Sequence, residues 1–130
     1  MPKAPPTGTK VLGTIGEKAA AEFLKRKGYE ILDVNFTCPL GELDIVARDG
    51  RTIVFVEVKT RSAGQTIRPK DQVGQRKIQR LSALAVYYRK KMNLLQVSGR
   101  FDVIGVIAGP DGMEIEHIEH AFELHQSFYY

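Results

Sequence analysis

Residues 41–60, GELDIVARDGRTIVFVEVKT, decide the fold, because they predict a β-hairpin that carries charged side chains inside apolar strands. Leu43–Ala47 and Ile53–Val58 are rich in branched residues, as strands are. Asp49-Gly50 between them is typical of a two-residue hairpin turn. The stretch therefore predicts two antiparallel strands joined by a tight turn.

The position of this turn sets which charged residues share a face of the hairpin. With the turn at Asp49-Gly50, Asp44 lies opposite Phe55 and diagonal to Glu57. Glu57 and Lys59 are two residues apart on one strand, so both share that face with Asp44. A three-residue loop would shift the pairing by one residue and turn Asp44 to the other face.

The three charged residues of this face suggest a metal-dependent reaction. Two carboxylates on neighbouring strands can share one Mg²⁺, which takes oxygen ligands at about 2.0–2.1 Å. A lysine beside Asp44 and Glu57 is a fixed cation near any anion that the metal holds, an arrangement typical of phosphodiester cleavage. The alternative is a solvated Glu57–Lys59 pair that adds little stability. The apolar run Ile53–Val58 favours a buried strand, where unpaired charges are costly.

Charge is distributed unevenly along the 130-residue chain, whose net charge is +4. Residues 61–100 carry ten basic side chains and one acid, whereas residues 101–130 carry six acids and no lysine or arginine. A concentrated basic segment indicates a polyanionic partner such as nucleic acid. The alternative is a solvated basic helix face.

Length and composition indicate one ordinary globular domain, with 43% apolar and 26% charged residues. The single cysteine, Cys38, fits a reducing compartment. The sequence has no apolar run of about 20 residues and no secretion signal, so we expect a cytoplasmic protein that does not contact a membrane. We expect residues 1–12 to be a flexible arm, residues 13–122 the domain and residues 123–130 a tail.

The rest of the chain predicts two helices and three further strands. A first helix is expected from about Ile15 to Lys27, with Thr14 as its N-cap and Gly28 following its end, and a second over about Gln75–Met92. Further strands are predicted at Tyr29–Phe36, Arg100–Ile107 and Met113–Ile118. The order α-β-β-β-α-β-β predicts an α/β fold, a mixed sheet flanked by helices, with parallel pairing across the second helix.

Two further charged residues have open interpretations. Glu17 lies at the edge of the apolar stripe of the first helix and can supply a third carboxylate, but Thr14-x-x-Glu17 is also a capping box. Lys77 lies in the first turn of the second helix, where the dipole disfavours a cation, so it either binds an anion there or extends its ammonium to solvent. Arg100 and Asp102 share a strand face and are predicted to form a structural ion pair. The three histidines match no metal-binding spacing.

Four segments carry a resemblance to a known family: GEKAAAEFLKRKGYEILDVNF at 16–36, the hairpin block already quoted, RFDVIGV at 100–106 and IEHIEHAF at 115–122. Together they resemble the YraN-like family of small bacterial proteins over about residues 13–122. That family is similar to archaeal Holliday junction resolvases and to the PD-(D/E)xK superfamily. The resemblance therefore implies a restriction-endonuclease-like mixed sheet flanked by helices.

By position, the resemblance places the superfamily signature on Asp44, Glu57 and Lys59. It adds Glu17 as the helix carboxylate that resolvases carry. Leu43 stands where the superfamily's name has proline, which is usual within the YraN-like family.

The residues and the resemblance together predict a Mg²⁺- or Mn²⁺-dependent nuclease acting on DNA, branched intermediates included. Asp44, Glu57 and the Val58 carbonyl are expected to hold the metal, Glu17 to complete the site and Lys59 to orient the attacking water. The basic residues expected to bind nucleic acid are Arg61, Arg68, Lys70, Arg76, Lys77 and Arg80. Likeness to resolvases, which cut two equivalent strands, implies a homodimer. The alternatives are a non-catalytic nucleic-acid-binding module and a domain whose basic face binds an acidic protein.

Overall fold

The computed structural model describes residues 9–62 and 74–122. The elements follow the predicted order: α1 (Thr9–Arg26), β1 (Glu30–Cys38), β2 (Gly41–Asp49), β3 (Thr52–Ser62), α2 (Gln75–Lys91), β4 (Gly99–Gly109) and β5 (Gly112–Phe122). The strands form one sheet in the order β1-β2-β3-β4-β5. β3 and β4 pair in parallel, and all other neighbours pair antiparallel. The α/β fold class is thus confirmed.

The sheet is covered on both faces, because alternate residues of its central strands are apolar in both directions. On one face α1 packs through Ala20, Ala21 and Leu24 against a core that includes Ile45, Val54 and Ile104. On the other face α2 packs through Leu81, Leu84 and Tyr88 against a core that includes Val46, Phe55 and Phe101. A charged residue on either face of β3 therefore lies between the sheet and a helix.

The first helix begins earlier than predicted. α1 starts at Thr9, so Thr14 lies in the helix interior and the capping-box interpretation of Glu17 is wrong. The last proline before the helix is Pro6, so no proline interrupts a helix that begins at Thr9. The predicted end is confirmed, since Gly28 has the left-handed φ of +93° that terminates many helices.

This start places residues 9–12, which were expected to belong to an arm, in α1. Residues 1–8 of that predicted arm lie outside the described residues, as does the predicted tail, 123–130. Neither helix in the described part of the chain combines the length and the apolar character that crossing a bilayer requires.

The β2–β3 hairpin has a different register from the predicted one. Ile45 pairs with Val56, and the turn residues are Gly50 and Arg51, one position later than expected. Gly50 has a φ of +60°, as the first turn residue of a type II′ hairpin requires, and this preference moves the turn. The pairing shifts by two residues, a full strand period, so Asp44 stays on the predicted face.

β3 is longer than predicted and continues to Ser62. Its parallel ladder with β4 runs through Arg61, which pairs with Ile107. Backbone hydrogen bonds to β4 thus hold Arg61 on the strand, three residues beyond the predicted end at Val58. Residues 63–73 lie outside the described residues.

Arg100 and Asp102 form the predicted ion pair, with Arg100 Nε 3.0 Å from Asp102 Oδ1. The fully buried Asp102 carboxylate also accepts hydrogen bonds from His117 Nε2 at 2.7 Å and from the backbone N–H of His120 at 3.0 Å. Arg100 in addition donates to the Tyr29 hydroxyl at 2.7 Å. His117 thus has a structural role that ties β5 to β4.

Candidate metal and nucleic-acid site

The candidate site lies where β2 and β3 separate. Their ladder ends at the Ile45–Val56 pair, and Asp44 is the next residue of β2. The Asp44 Oδ2 atom accepts a hydrogen bond from the backbone N–H of Val58 at 2.8 Å. A carboxylate thus takes the place of a backbone carbonyl as the partner of β3, which fixes Asp44 in the opening between the strands. The Val58 carbonyl as a metal ligand stays a prediction.

Three carboxylates meet at this opening. One oxygen each of Glu17, Glu42 and Asp44 lies within 4.8 Å of the others. Glu17 comes from α1 and also accepts a hydrogen bond from the Asn35 side chain of β1. Hard oxygen ligands of this kind suit Mg²⁺ and Mn²⁺. Oxygens that share one Mg²⁺ lie within about 4 Å of one another, so small side-chain rotations would let these three fit a single ion.

Glu57 contacts two lysines instead of that carboxylate group. Its Oε1 atom is 2.6 Å from Lys77 Nζ and 3.3 Å from Lys59 Nζ. Lys59 follows two residues later on β3, as the shared face predicted, whereas Lys77 reaches over from the first turn of α2. The three side chains are only 12–23% exposed. The anion that Lys77 binds here is therefore a carboxylate of the protein itself.

Burial and crowding raise the pKa values of two of these carboxyl groups. The pKa of Asp44 rises to about 7, because burial disfavours the charged form and the negative charge of Glu57 adds to the effect. Burial also raises the pKa of Glu17, and the charge of Glu42 raises it further. A bound divalent cation would lower these pKa values again, because its positive charge favours the ionised carboxylates. Raised pKa values of this kind are typical of functional sites.

The two lysines respond differently to the same surroundings. Burial lowers the pKa of Lys59, and the neighbouring Lys77 ammonium lowers it further. Burial also acts to lower the pKa of Lys77, but the hydrogen bond to Glu57 and the negative charges of Glu57 and Asp44 contribute to a larger combined effect, and the pKa of Lys77 is raised. Lys77 therefore keeps its charge firmly, while Lys59 releases a proton more readily than an ordinary lysine.

The predicted nucleic-acid-binding residues are partly collected beside this site. Arg76 and Arg80 are exposed on α2, one helical turn apart and flanking Lys77 in sequence. Arg61 follows two residues after Lys59 on β3, and its Nη1 atom donates to the Thr60 carbonyl at 2.9 Å. Two further members of the predicted set lie outside the described residues: Arg68 and Lys70.

Comparison with known proteins shows the family. The family model described as "Uncharacterised protein family UPF0102" matches residues 16–106. The chain belongs to UPF0102. This is the YraN-like family that the sequence indicated. A UPF0102 protein of Geobacter sulfurreducens is 50% identical over 117 residues, covering 88% of this chain and 91% of that protein.

Two more proteins similar to this UPF0102 chain differ widely in how closely they match. A UPF0102 protein of Moorella thermoacetica is 51% identical over 94 residues, covering 72% of this chain and 78% of that protein. The solved structure of Pyrococcus furiosus SfsA in complex with Ca²⁺ aligns over 92% of this chain and 74% of that chain, with 16% identity and a TM-score of 0.40.

Sequence reasoning missed two residues of the site in this UPF0102 protein. Glu42 was detectable, because it stands two positions before Asp44 and the strand period places both on one face. The predicted register also placed Glu42 on that face, opposite Glu57. Asn35 has a φ of +56°, which asparagine tolerates better than most residues, but no sequence pattern marks it.

Proposed function

We propose that this UPF0102 protein is a Mg²⁺- or Mn²⁺-dependent nuclease that hydrolyses phosphodiester bonds of DNA. One observation carries the proposal: Glu17 from α1 and Asp44 from β2 lie together at an opening bordered by Glu57 and Lys59 of β3. Carboxylates for a hard cation and a lysine for an anion are thus present side by side. That combination suits a metal-bound phosphate.

The side chains divide into metal ligands and groups that act on the substrate. Asp44, Glu17 and Glu57 would hold the metal, with Glu42 as a fourth carboxylate beside them. When bound, the metal would supply Lewis-acid stabilisation of charge on the phosphate and an acidified water. Lys59, whose pKa is lowered, would orient the attacking water.

DNA as the partner is supported by the start of α2. Arg76 and Arg80 project from the turns that also carry Lys77, so a strand whose phosphate lay at Asp44 would have cations beside it. Phosphate contacts of this kind position a duplex without reading its sequence. The homodimer implied by the resolvase resemblance remains a prediction, and sedimentation of the full chain measures it.

A replacement of Asp44 tests catalysis. We expect the wild-type protein to cut at least one substrate in a Mn²⁺-containing screen of duplex, single-stranded, flap and four-way-junction DNA. Asp44→Asn should lower that cleavage by roughly two orders of magnitude or more, because it removes a metal ligand. DNA binding should stay the same or become tighter, since a carboxylate that repels phosphate is gone. Equal cleavage by Asp44→Asn and wild type would show that the assignment is wrong.

A non-catalytic nucleic-acid-binding module is the second candidate function. The observation in its favour is that Lys59 and Lys77 already balance the charge of Glu57 without a metal. Calorimetry separates the two candidates. A nuclease should bind Mn²⁺ at a site that Glu57→Gln weakens or abolishes, whereas a pure binding module should show no such site.

A further inference from the structure

We propose that Lys77 is an internal competitor of the metal: its ammonium occupies Glu57 in the metal-free protein and must leave when a divalent cation binds. This inference rests on the proposed metal-dependent function and adds to it a regulation of the same site. Lys77 is thus a positioning residue that sets metal affinity through Glu57.

Glu57 already contacts both lysines through one carboxylate oxygen. Lys77 Nζ lies 2.6 Å from Glu57 Oε1, and Lys59 Nζ lies 3.3 Å from the same atom. A divalent cation on either oxygen of Glu57 would lie close to both ammonium groups, and these like charges would repel one another. Metal binding at Glu57 therefore favours the displacement of at least one lysine.

The position of each lysine decides which one leaves. Lys59 is fixed by β3, two residues from Glu57 on the same strand. Lys77 belongs to another element, the first turn of α2, and its side chain is 23% exposed. The helix dipole disfavours a cation at that turn. Glu57 is what holds the Lys77 ammonium inward, and a metal that neutralises Glu57 releases it.

Calorimetric titration of the full chain with Mn²⁺ measures the competition. We expect Lys77→Met to bind Mn²⁺ about five-fold more tightly than wild type, the gain expected from freeing one partly exposed ion-paired carboxylate. Arg76→Met is the matched control. It removes one positive charge from the neighbouring position without touching Glu57, so its affinity should change less than two-fold. Unchanged or weaker Mn²⁺ binding by Lys77→Met would overturn the proposal. An equal gain in affinity for Arg76→Met would also overturn it, because the gain would then come from removing any nearby positive charge.

Chemical labelling provides a second measurement that needs no variant. Mg²⁺ should speed reductive methylation of Lys77 in the wild-type protein, read by mass spectrometry of its peptides, while the exposed Lys90 reacts at an unchanged rate. A Lys77 rate that Mg²⁺ leaves unchanged or slows would contradict the proposal.

Failure of the inference and failure of the proposed function give different results. If neither wild type nor Lys77→Met binds Mn²⁺, the metal-dependent function itself is wrong. If wild type binds Mn²⁺, Glu57→Gln weakens that binding and Lys77→Met does not strengthen it, the function stands and the competition is wrong. Binding by Lys77→Met alone would support the competition in its strongest form.

Discussion

Two aspartates of this protein, the half-buried Asp44 and the fully buried Asp102, show how residues of one type acquire different roles. The pKa of Asp44 is raised to about 7, with one backbone N–H donating to it at 2.8 Å and the charge of Glu57 close by. Burial would also raise the pKa of Asp102, but hydrogen bonds from His117, Arg100 and the His120 backbone lower it below its usual value. Asp102 is thus a satisfied structural charge, whereas burial and the negative charge of Glu57 hold the pKa of Asp44 above its usual value.

The structural role of Asp102 predicts a large stability loss in Asp102→Asn. Asp102→Asn breaks a buried, hydrogen-bonded ion pair and leaves Arg100 with the more exposed Asp49 as its remaining carboxylate partner among the described residues, so the free energy of unfolding in urea at pH 6 should fall by about 3 kcal/mol. Asp111→Asn, on the exposed β4–β5 turn, is the control and should change it by less than about 0.5 kcal/mol.

The lowered pKa of Asp102 gives this difference a pH dependence. The Asp102 carboxylate contributes fully to the free energy of unfolding above its unfolded-state pKa of about 3.9. This contribution is lost as the pH falls through the lower folded-state pKa. The difference in free energy of unfolding between wild type and Asp102→Asn should therefore become smaller below about pH 4. A gap that stays constant down to pH 3 would contradict the lowered pKa.

At the scale of elements, the close approach of α1 to β3 positions Glu17. Gly16 is buried where the helix crosses the strand, and a Cβ atom built there would collide with Thr60 Oγ1. Thr60 directly follows Lys59, and Gly16 directly precedes Glu17. The absence of a side chain at Gly16 therefore lets the helix carboxylate and the strand lysine belong to one site.

Gly16→Ala should destabilise the protein although alanine favours helix. The propensity gain of up to about 1 kcal/mol is outweighed by overpacking against Thr60, which costs about 1–3 kcal/mol. Chemical denaturation measures the loss, and Mn²⁺ titration should show weaker binding because Glu17 moves with α1. Adding Thr60→Ala removes Oγ1 and leaves only the Cβ contact at 3.2 Å, so the double variant should recover part of both losses. A Gly16→Ala protein as stable as wild type would refute this packing argument.

Over the whole molecule, charge is separated between two regions of the fold. Arg76, Lys77 and Arg80 lie at the start of α2, whereas Glu114 and Glu116 lie on the edge strand β5. Phosphates are attracted to the first region and repelled by the second. DNA that reaches the opening beside Asp44 is therefore expected to approach over α2.

Charge reversal at α2 tests this approach. Arg76→Glu with Arg80→Glu should weaken DNA binding across all sequences and flatten its salt dependence, whose log–log slope is about −0.9 per phosphate neutralised on a duplex. Arg51→Glu with Lys90→Glu changes the net charge equally, but these residues lie at the hairpin turn and near the end of α2. Fluorescence anisotropy over a salt series should show a much smaller effect for that control. If the two double variants have equal effects, either the DNA does not contact the start of α2 or its binding depends only on the net charge of the protein.

Local chemistry in the sequence was sufficient to predict the element order, the end of α1 shortly before Gly28 and the shared face of Glu57 and Lys59. These features depend on periodicity and on residues close in the chain. The start of α1 escaped prediction because Thr14 and Glu17 also match a capping box, and only the folded helix decides between the two. The hairpin register escaped because Asp49, Gly50 and Arg51 permit two turn positions, although the strand period kept the site's face correct.

The contacts that complete the candidate site were decided by tertiary structure. Lys77 meets Glu57 across 20 residues of chain, and Glu17 meets Asp44 because α1 crosses the sheet at Gly16. Neither contact follows from spacing, since each depends on where a helix packs on the sheet. The sequence specified which residues are charged and which strand faces they occupy. The packing of two helices on opposite faces determined which of those charges touch, because side-chain distances between elements arise only when the core closes.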